Sequence, residues 1–532
     1  MVLVNGVVYT VNPSQPKAEA VAIDGSVIVG VGSTKDLLEE FQGDTVIDVG
    51  GKPVYPGFVD SHAHLEGLGI LLMTIDLQGT SSPEDVAGRV ASDAGRRPVG
   101  AWIRGRGWDQ NRWAKKEFPS HAMLDAAAPG NPVVLGRVDG HAVWVNSLAL
   151  HLAGISRSTR EPEGGRILRD SAGDPTGILI DNATNLMAAV MPPPTRAERT
   201  EAVRLAVDQC LRFGLTQVHD MGVDTELVDI YRDLILRNEF PFRIYAALDW
   251  SAWNHYPGPD VGDASGRIVV RALKLYMDGA LGSRGAALLQ PYSDDPGNRG
   301  LTMMSSDSLK NIAELCLDKG FQLCVHAIGD RANTVVLSTY QEAFKSRKIN
   351  GNDVRFRVEH AQLLDPADVP RFHRLGVLPM MQPTHCTSDM PWIVDRLGKE
   401  RAVHACLWRS LLDDGDIIPA SSDFPVESPN PLLGFYAAIT RQDLEGKPDG
   451  GWYPEQRMTR AEALKAFTIW GSYAAFQEEK KGSVEIGKWA DLVVLSEDIM
   501  TIEAARIPRV RVEKTMVGGT MVYEAKEGGG GR

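Results

Sequence analysis

The chain has 532 residues, 43% of them hydrophobic and 23% charged, which excludes intrinsic disorder; at about 100–200 residues per domain it holds roughly two to four domains. A formal charge of -13 argues against a nucleic-acid groove or an anionic membrane surface, since both reward clustered basic residues. Five cysteines, odd in number and with no C-x-x-C pair, read as reduced thiols of a cytoplasmic protein. No uninterrupted apolar run reaches the length of a membrane span, and no basic region followed by an apolar run begins the chain, so neither an anchor nor a secretory signal is expected.

In chain order, the first fifty residues alternate short β-rich runs with turn dipeptides. Val2-Leu3-Val4 meets Asn5-Gly6, and Ala20-Val21-Ala22-Ile23 meets Asp24-Gly25; both read as hairpins. The far C-terminus repeats the style, with a turn at Gly518-Gly519. Neither end carries enough strands alone, so residues 1–53 and 482–525 are expected to build one small β-sandwich together. Between them, apolar strands alternate with helical stretches at 54–61, 215–220, 242–248, 273–277, 322–326, 356–360, 377–382 and 417–422. Eight such strands predict an α/β fold, a (β/α)8 TIM-like barrel of residues 54–65 and 201–481. The gap after the first strand is far too long for one βα loop. It holds a tryptophan-rich run at 101–113 and predicts an inserted subdomain, residues 66–200, covering the active site. The tail, 526–532, reads as a flexible end.

The strongest chemical signal is Asp60-Ser61-His62-Ala63-His64. In extended backbone, residues i and i+2 project to one side, so two imidazoles at a strand's end converge on one metal ion. Taken alone, H-x-H is common. However, His326 ends the fifth predicted strand, His360 the sixth, and Asp423 follows the eighth, all on the barrel face that hosts active sites. That recurrence predicts a metal site. Lys274 sits among apolar neighbours in the fourth strand, where an ammonium is costly to bury. A neutral lysine can add CO2 and become a carbamate whose two oxygens bridge two ions; the alternative is pairing with Asp278 or reaching to the rim.

These residues, with Pro56-Gly57-Phe58-Val59-Asp60, Met277-Asp278-Gly279-Ala280-Leu281-Gly282-Ser283-Arg284, Ile486-Gly487-Lys488-Trp489-Ala490-Asp491-Leu492, Gly107-Trp108-Asp109 and Asp139-Gly140-His141, resemble the metal-dependent amidohydrolase superfamily. The resemblance covers nearly the whole chain and points to the YtcJ-like branch, amidohydrolase family 3, which includes N-substituted formamide deformylases. It implies that His62, His64 and Asp423 hold one ion, that His326 and His360 hold a second, and that carbamylated Lys274 bridges them. Two Zn2+ ions suit these ligands, with Mn2+ or Fe2+ as alternatives. It also implies a homodimer.

The implied reaction is hydrolysis of a linear, non-peptide amide. Coordination lowers the pKa of water to about 7, and Asp423 would carry the proton from water to the leaving nitrogen. A cyclic amide, ester or phosphoester would suit the same site, and a regulatory ligand-binding protein on this scaffold is the reading from another class. The partner is then a small-molecule substrate rather than nucleic acid or membrane. Trp108, Trp113 and His141 are candidate substrate walls from the insert, set against packing of the insert's own core. His219, Asp278, Arg284 and His385 are further candidates for substrate contact. The indoles predict an apolar, aromatic substrate group, although Arg104, Arg106 and Arg112 lie near enough to bind a carboxylate.

Overall fold

The computed structural model describes residues 1–41, 45–138, 141–162, 164–262 and 265–526. Asp139 and Gly140 of the Asp139-Gly140-His141 element, and the tail from residue 527, therefore lie outside the described residues. Two compact units form, Met1–Leu68 with Val203–Arg532, and Gly69–Ala202.

In the larger unit the apolar runs become one sheet of seven strands, each parallel to the next in chain order. They are Phe58–Ala63, Leu215–Val223, Arg243–Leu248, Ile268–Tyr276, Gln322–Ala327, Arg357–His360 and Leu378–Met380. A parallel sheet is covered on both faces, which is why Arg243–Leu248 is buried at every position. Amphipathic helices return the chain between strands. Ser305, for example, accepts the Ser308 N–H to start helix Ser306–Lys319, and Gly320 ends it at φ 80°.

The eighth expected strand is a correction: 417–422 forms no ladder and makes one parallel bridge, Met381 to Ala420. Pro419 has no N–H to offer a ladder. The segment still joins both edges of the sheet. Met381 N–H donates to the Pro419 carbonyl and Ser421 N–H to the Met381 carbonyl, while Ser61 N–H donates to Ala420 and Asp423 N–H to His62. The result is a nearly closed, TIM-like barrel, and those bonds place Asp423 beside the end of the first strand.

The run read as one strand over 54–61 divides at Gly57. Pro53–Pro56 pairs with Val7–Tyr9 and Leu492–Leu495, whereas Phe58–Ala63 enters the barrel. A Cβ at Gly57 would lie 2.3 Å from Thr216 Cγ2, so the crossing from one sheet to the other requires glycine. Strands from both ends of the chain thus share a six-stranded sheet, and its buried residues cluster with those of a four-stranded N-terminal sheet. The Asp24-Gly25 and Gly518-Gly519 turns join antiparallel strands. Asn5-Gly6 does not: Val2–Val4 and Val7–Tyr9 belong to different sheets.

The smaller unit has its own six-stranded sheet and two apolar clusters, one containing Trp108, Trp113 and Trp144. No helix among the described residues is long and apolar enough to cross a membrane.

Candidate metal centre

His62 and His64 leave the first barrel strand two residues apart. His62 Nδ1 lies 2.5 Å from Glu359 Oε2, and His64 Nδ1 lies 2.9 Å from the Met221 carbonyl. His360 Nδ1 lies 2.9 Å from Gln382 Oε1, and Gln382 Nε2 donates in turn to Ser421 Oγ. Each acceptor takes a ring proton at Nδ1, which leaves Nε2 with its lone pair free. Fixing the tautomer from behind is how metal-binding imidazoles are oriented.

The free nitrogens gather around Asp423. Its Oδ1 lies 3.5 Å from His62 Nε2 and 3.3 Å from His64 Nε2, and its Oδ2 lies 3.9 Å from His385 Nε2. Two groups offer ligand atoms within 4.8 Å of one another: His62, His64 and Asp423, and His360, His385 and Asp423. Among the described residues, Asp423 Oδ1, His326 Nε2 and His385 Nε2 are buried with no hydrogen-bond partner. Buried polar atoms left orphaned on facing side chains fit a divalent cation, since each would otherwise cost about 1–3 kcal/mol. Asp423 at φ 59° and His360 at φ 75° hold left-handed backbone, a strain that persists where the surroundings fix a functional side chain.

Electrostatics favour the ligating forms of His62, His326, His360 and Asp423; at His64 burial lowers the pKa but the adjacent Asp423 outweighs it and raises it. Burial, then the nearby Lys274 charge, pushes His62 down to about 4 and His326 to about 3, and burial holds His360 well below the usual imidazole value. These rings are neutral at pH 7. Burial opposes ionisation of Asp423, but the facing His62, His64 and His385 overcome it and hold the carboxyl well below its ordinary value.

His385 stands in a ligand position, although the sequence suggests a substrate contact. His326 belongs to neither three-residue group; its ring packs edge-on against His360 at 4.4 Å. Lys274 is 3% exposed and burial lowers its pKa. Its ammonium sits 4.8 Å from the centre of the Tyr276 ring and makes no ion pair among the described residues. The alternative pairing with Asp278 does not occur. Asp278 is fully buried and accepts backbone N–H groups of Ala287, Ile328 and Gly329, so it organises a loop, with its Oδ1 3.6 Å from His326 Nε2.

Other residues read as substrate contacts have partners within the protein. Arg284 is paired through Nε and Nη2 with Asp294. His219 is fully buried and accepts from Arg357 Nη1. Trp108 is fully buried with its indole N–H donated to the Leu135 carbonyl, and Trp113 donates to Thr80. These indoles pack their own unit's core. His141 is exposed and pairs with Asp181.

Sequence reasoning passes over Glu359, Arg357 and Gln382. Arg357 and Glu359 stand two apart on one side of a fully buried strand, and an acid and a base in such a run are the signal.

A parallel barrel with imidazoles and a carboxylate converging at the carboxyl ends of its strands defines a metal-dependent hydrolase class. The chain belongs to the amidohydrolase family, whose pattern matches residues 45–523. It is 33% identical to YtcJ of Bacillus subtilis (strain 168), named as an amidohydrolase, over 98% of each chain. It is 28% identical to N-substituted formamide deformylase of Arthrobacter pascens, also over 98% of each. A crystal structure of an uncharacterised metal-dependent hydrolase from Pyrococcus furiosus superimposes with TM-score 0.79 at 28% identity, covering 94% of this chain and 99% of that one.

Proposed function

We propose that this protein hydrolyses the C–N bond of a linear, non-peptide amide, an N-substituted formamide or an aryl amide. The observation that carries the metal chemistry is the set of imidazoles whose Nδ1 atoms are tied back while their Nε2 atoms face Asp423. The amide preference is supported by similarity over 98% of the chain to a protein named N-substituted formamide deformylase.

His62, His64 and Asp423 would hold one divalent ion, with His360, His326 and His385 beside a second. Zinc suits this imidazole and carboxylate set. Such an ion supplies Lewis acidity that acidifies water and polarises a carbonyl. Asp423, ionised and with one oxygen unpartnered, accepts the proton of the attacking water and passes it to the leaving nitrogen. Lys274, buried and with no ion pair among the described residues, would add CO2 through its neutral amine; one proton would leave, and the carbamate would offer two oxygens to cations held beside it.

The test is a panel of N-substituted formamides, aryl amides, lactams, esters and phosphoesters offered to protein loaded with Zn2+, Mn2+ or Fe2+. Preferential turnover of a linear amide is expected. Turnover confined to esters, phosphoesters or lactams would overturn the amide assignment, and no turnover of any class would favour a ligand-binding role.

A further inference from the structure

Behind the metal-facing side chains lies a buried chain of charge that the proposed reaction does not itself use. Glu359 is fully buried, and Arg357 Nε donates to its Oε1 at 2.7 Å while Nη2 reaches its Oε2 at 3.2 Å. Arg357 Nη2 also donates to the Ser61 carbonyl at 2.6 Å, and Nη1 donates to His219 Nδ1 at 3.1 Å. Ser61 immediately precedes His62, so the guanidinium grips both the carboxylate and the backbone beside the imidazole. Glu359 Oε2 then meets His62 Nδ1 at 2.5 Å.

Three separate strands, carrying His62, His219 and Arg357 with Glu359, are thus joined through one fully buried ion pair. Burying an ion pair contributes little net stability, and a well-packed neutral pair often serves as well or better. Stability alone therefore does not account for a salt bridge here. Its geometry does: the carboxylate can only accept, so it dictates the proton at His62 Nδ1 and presents Nε2 to Asp423 at 3.5 Å.

We infer that Glu359, clamped by Arg357, is a positioning residue that fixes the tautomer and ring orientation of His62 and raises the metal affinity of the centre. The inference rests on the metal reading above but not on the identity of the substrate. Glu359 and His360 are consecutive in the sequence, and the two serve the centre differently. His360 faces it directly at the turn of the strand, whereas Glu359 acts through His62.

The test compares wild type, Glu359→Gln, and the double variant Glu359→Gln with Arg357→Met, measuring Zn2+ affinity by competition with a chromogenic chelator and melting of the metal-free protein. Glu359→Gln keeps the shape but strands the Arg357 charge, so its melting temperature falls. The double variant removes both charges and should recover that melting temperature. Both are expected to bind Zn2+ roughly 10–100-fold more weakly, because neither restores the carboxylate behind His62. A purely structural role would be relieved in the double variant. If that protein is folded and binds Zn2+ within about twofold of wild type, the positioning role is overturned. Wild-type protein that binds no divalent ion would overturn it together with the metal reading beneath it. Absence of amide turnover in a wild type that binds Zn2+, alongside weakened affinity in the variants, supports the positioning role while counting against the amide assignment.

Discussion

Replacing Trp108 separates a core indole from a substrate-binding one. Its side chain is fully buried, it packs against Trp113, Trp144 and Phe118 with ring centroids 6.0 to 6.3 Å away, and its N–H satisfies the Leu135 carbonyl. Trp108→Ala removes that volume, at about 3–5 kcal/mol for a buried Trp, and leaves a carbonyl unpaired, at about 1–3 kcal/mol more. The total approaches the whole stability of a domain, about 5–15 kcal/mol. The unit Gly69–Ala202 should then unfold or become protease-sensitive near room temperature. Trp108→Phe keeps most of the ring and loses mainly the hydrogen bond, so a melting transition lower by several degrees is expected. Scanning calorimetry with limited proteolysis reads both. On an aromatic and a small aliphatic amide, Trp108→Phe should change KM by similar, small factors. A rise in KM confined to the aromatic amide, with melting unmoved, would refute the packing role and return the indole to the substrate pocket.

Asp423→Asn should keep the fold and much of the bound metal while kcat falls by about 10²–10⁴, read by steady-state kinetics beside elemental analysis. Lys274→Ala should lower metal content and activity, with partial recovery in a short-chain carboxylate; unchanged metal content would exclude the bridging carbamate. Asp491, buried against Arg243 and Lys481, is pulled down to about 2 from 3.8 as those charges overcome the opposing burial. A depressed folded-state pKa contributes stability that is full above about pH 4 and lost as pH falls towards 2, here about 2 kcal/mol. Urea unfolding between pH 5 and 2 should show that loss in wild type. Asp491→Asn strands buried Arg243 and should cost about 3–5 kcal/mol at pH 7.

Seven barrel strands were legible because parallel strands buried on both faces are short apolar runs, and the strand-end positions of His62, His326 and His360 followed from them. The eighth was not, because the apolar run hides that Pro419 cannot join a ladder; the closure is made instead by single bonds to Met381 and from Ser61. Asn5-Gly6 looks like Asp24-Gly25, but a turn dipeptide says only that the chain bends, not whether both flanking strands stay in one sheet. Trp108 illustrates the limit for the site. A cluster of indoles marks a large apolar surface, while which body covers it depends on strands far apart in sequence. Glu359 was hidden for a related reason: alternation assigns it to the barrel interior, but its contact with His62 crosses 297 positions. His385 sits on a helix that follows the seventh strand, where no strand periodicity aims it at Asp423.

The central claim, a metal-dependent hydrolytic centre around Asp423, is tested most directly by measuring amide turnover and metal content on the same sample before and after chelation. Activity should disappear as the ions are removed and return on adding Zn2+ to wild type but not to His62→Ala. Undiminished amide turnover in protein free of metal would contradict it.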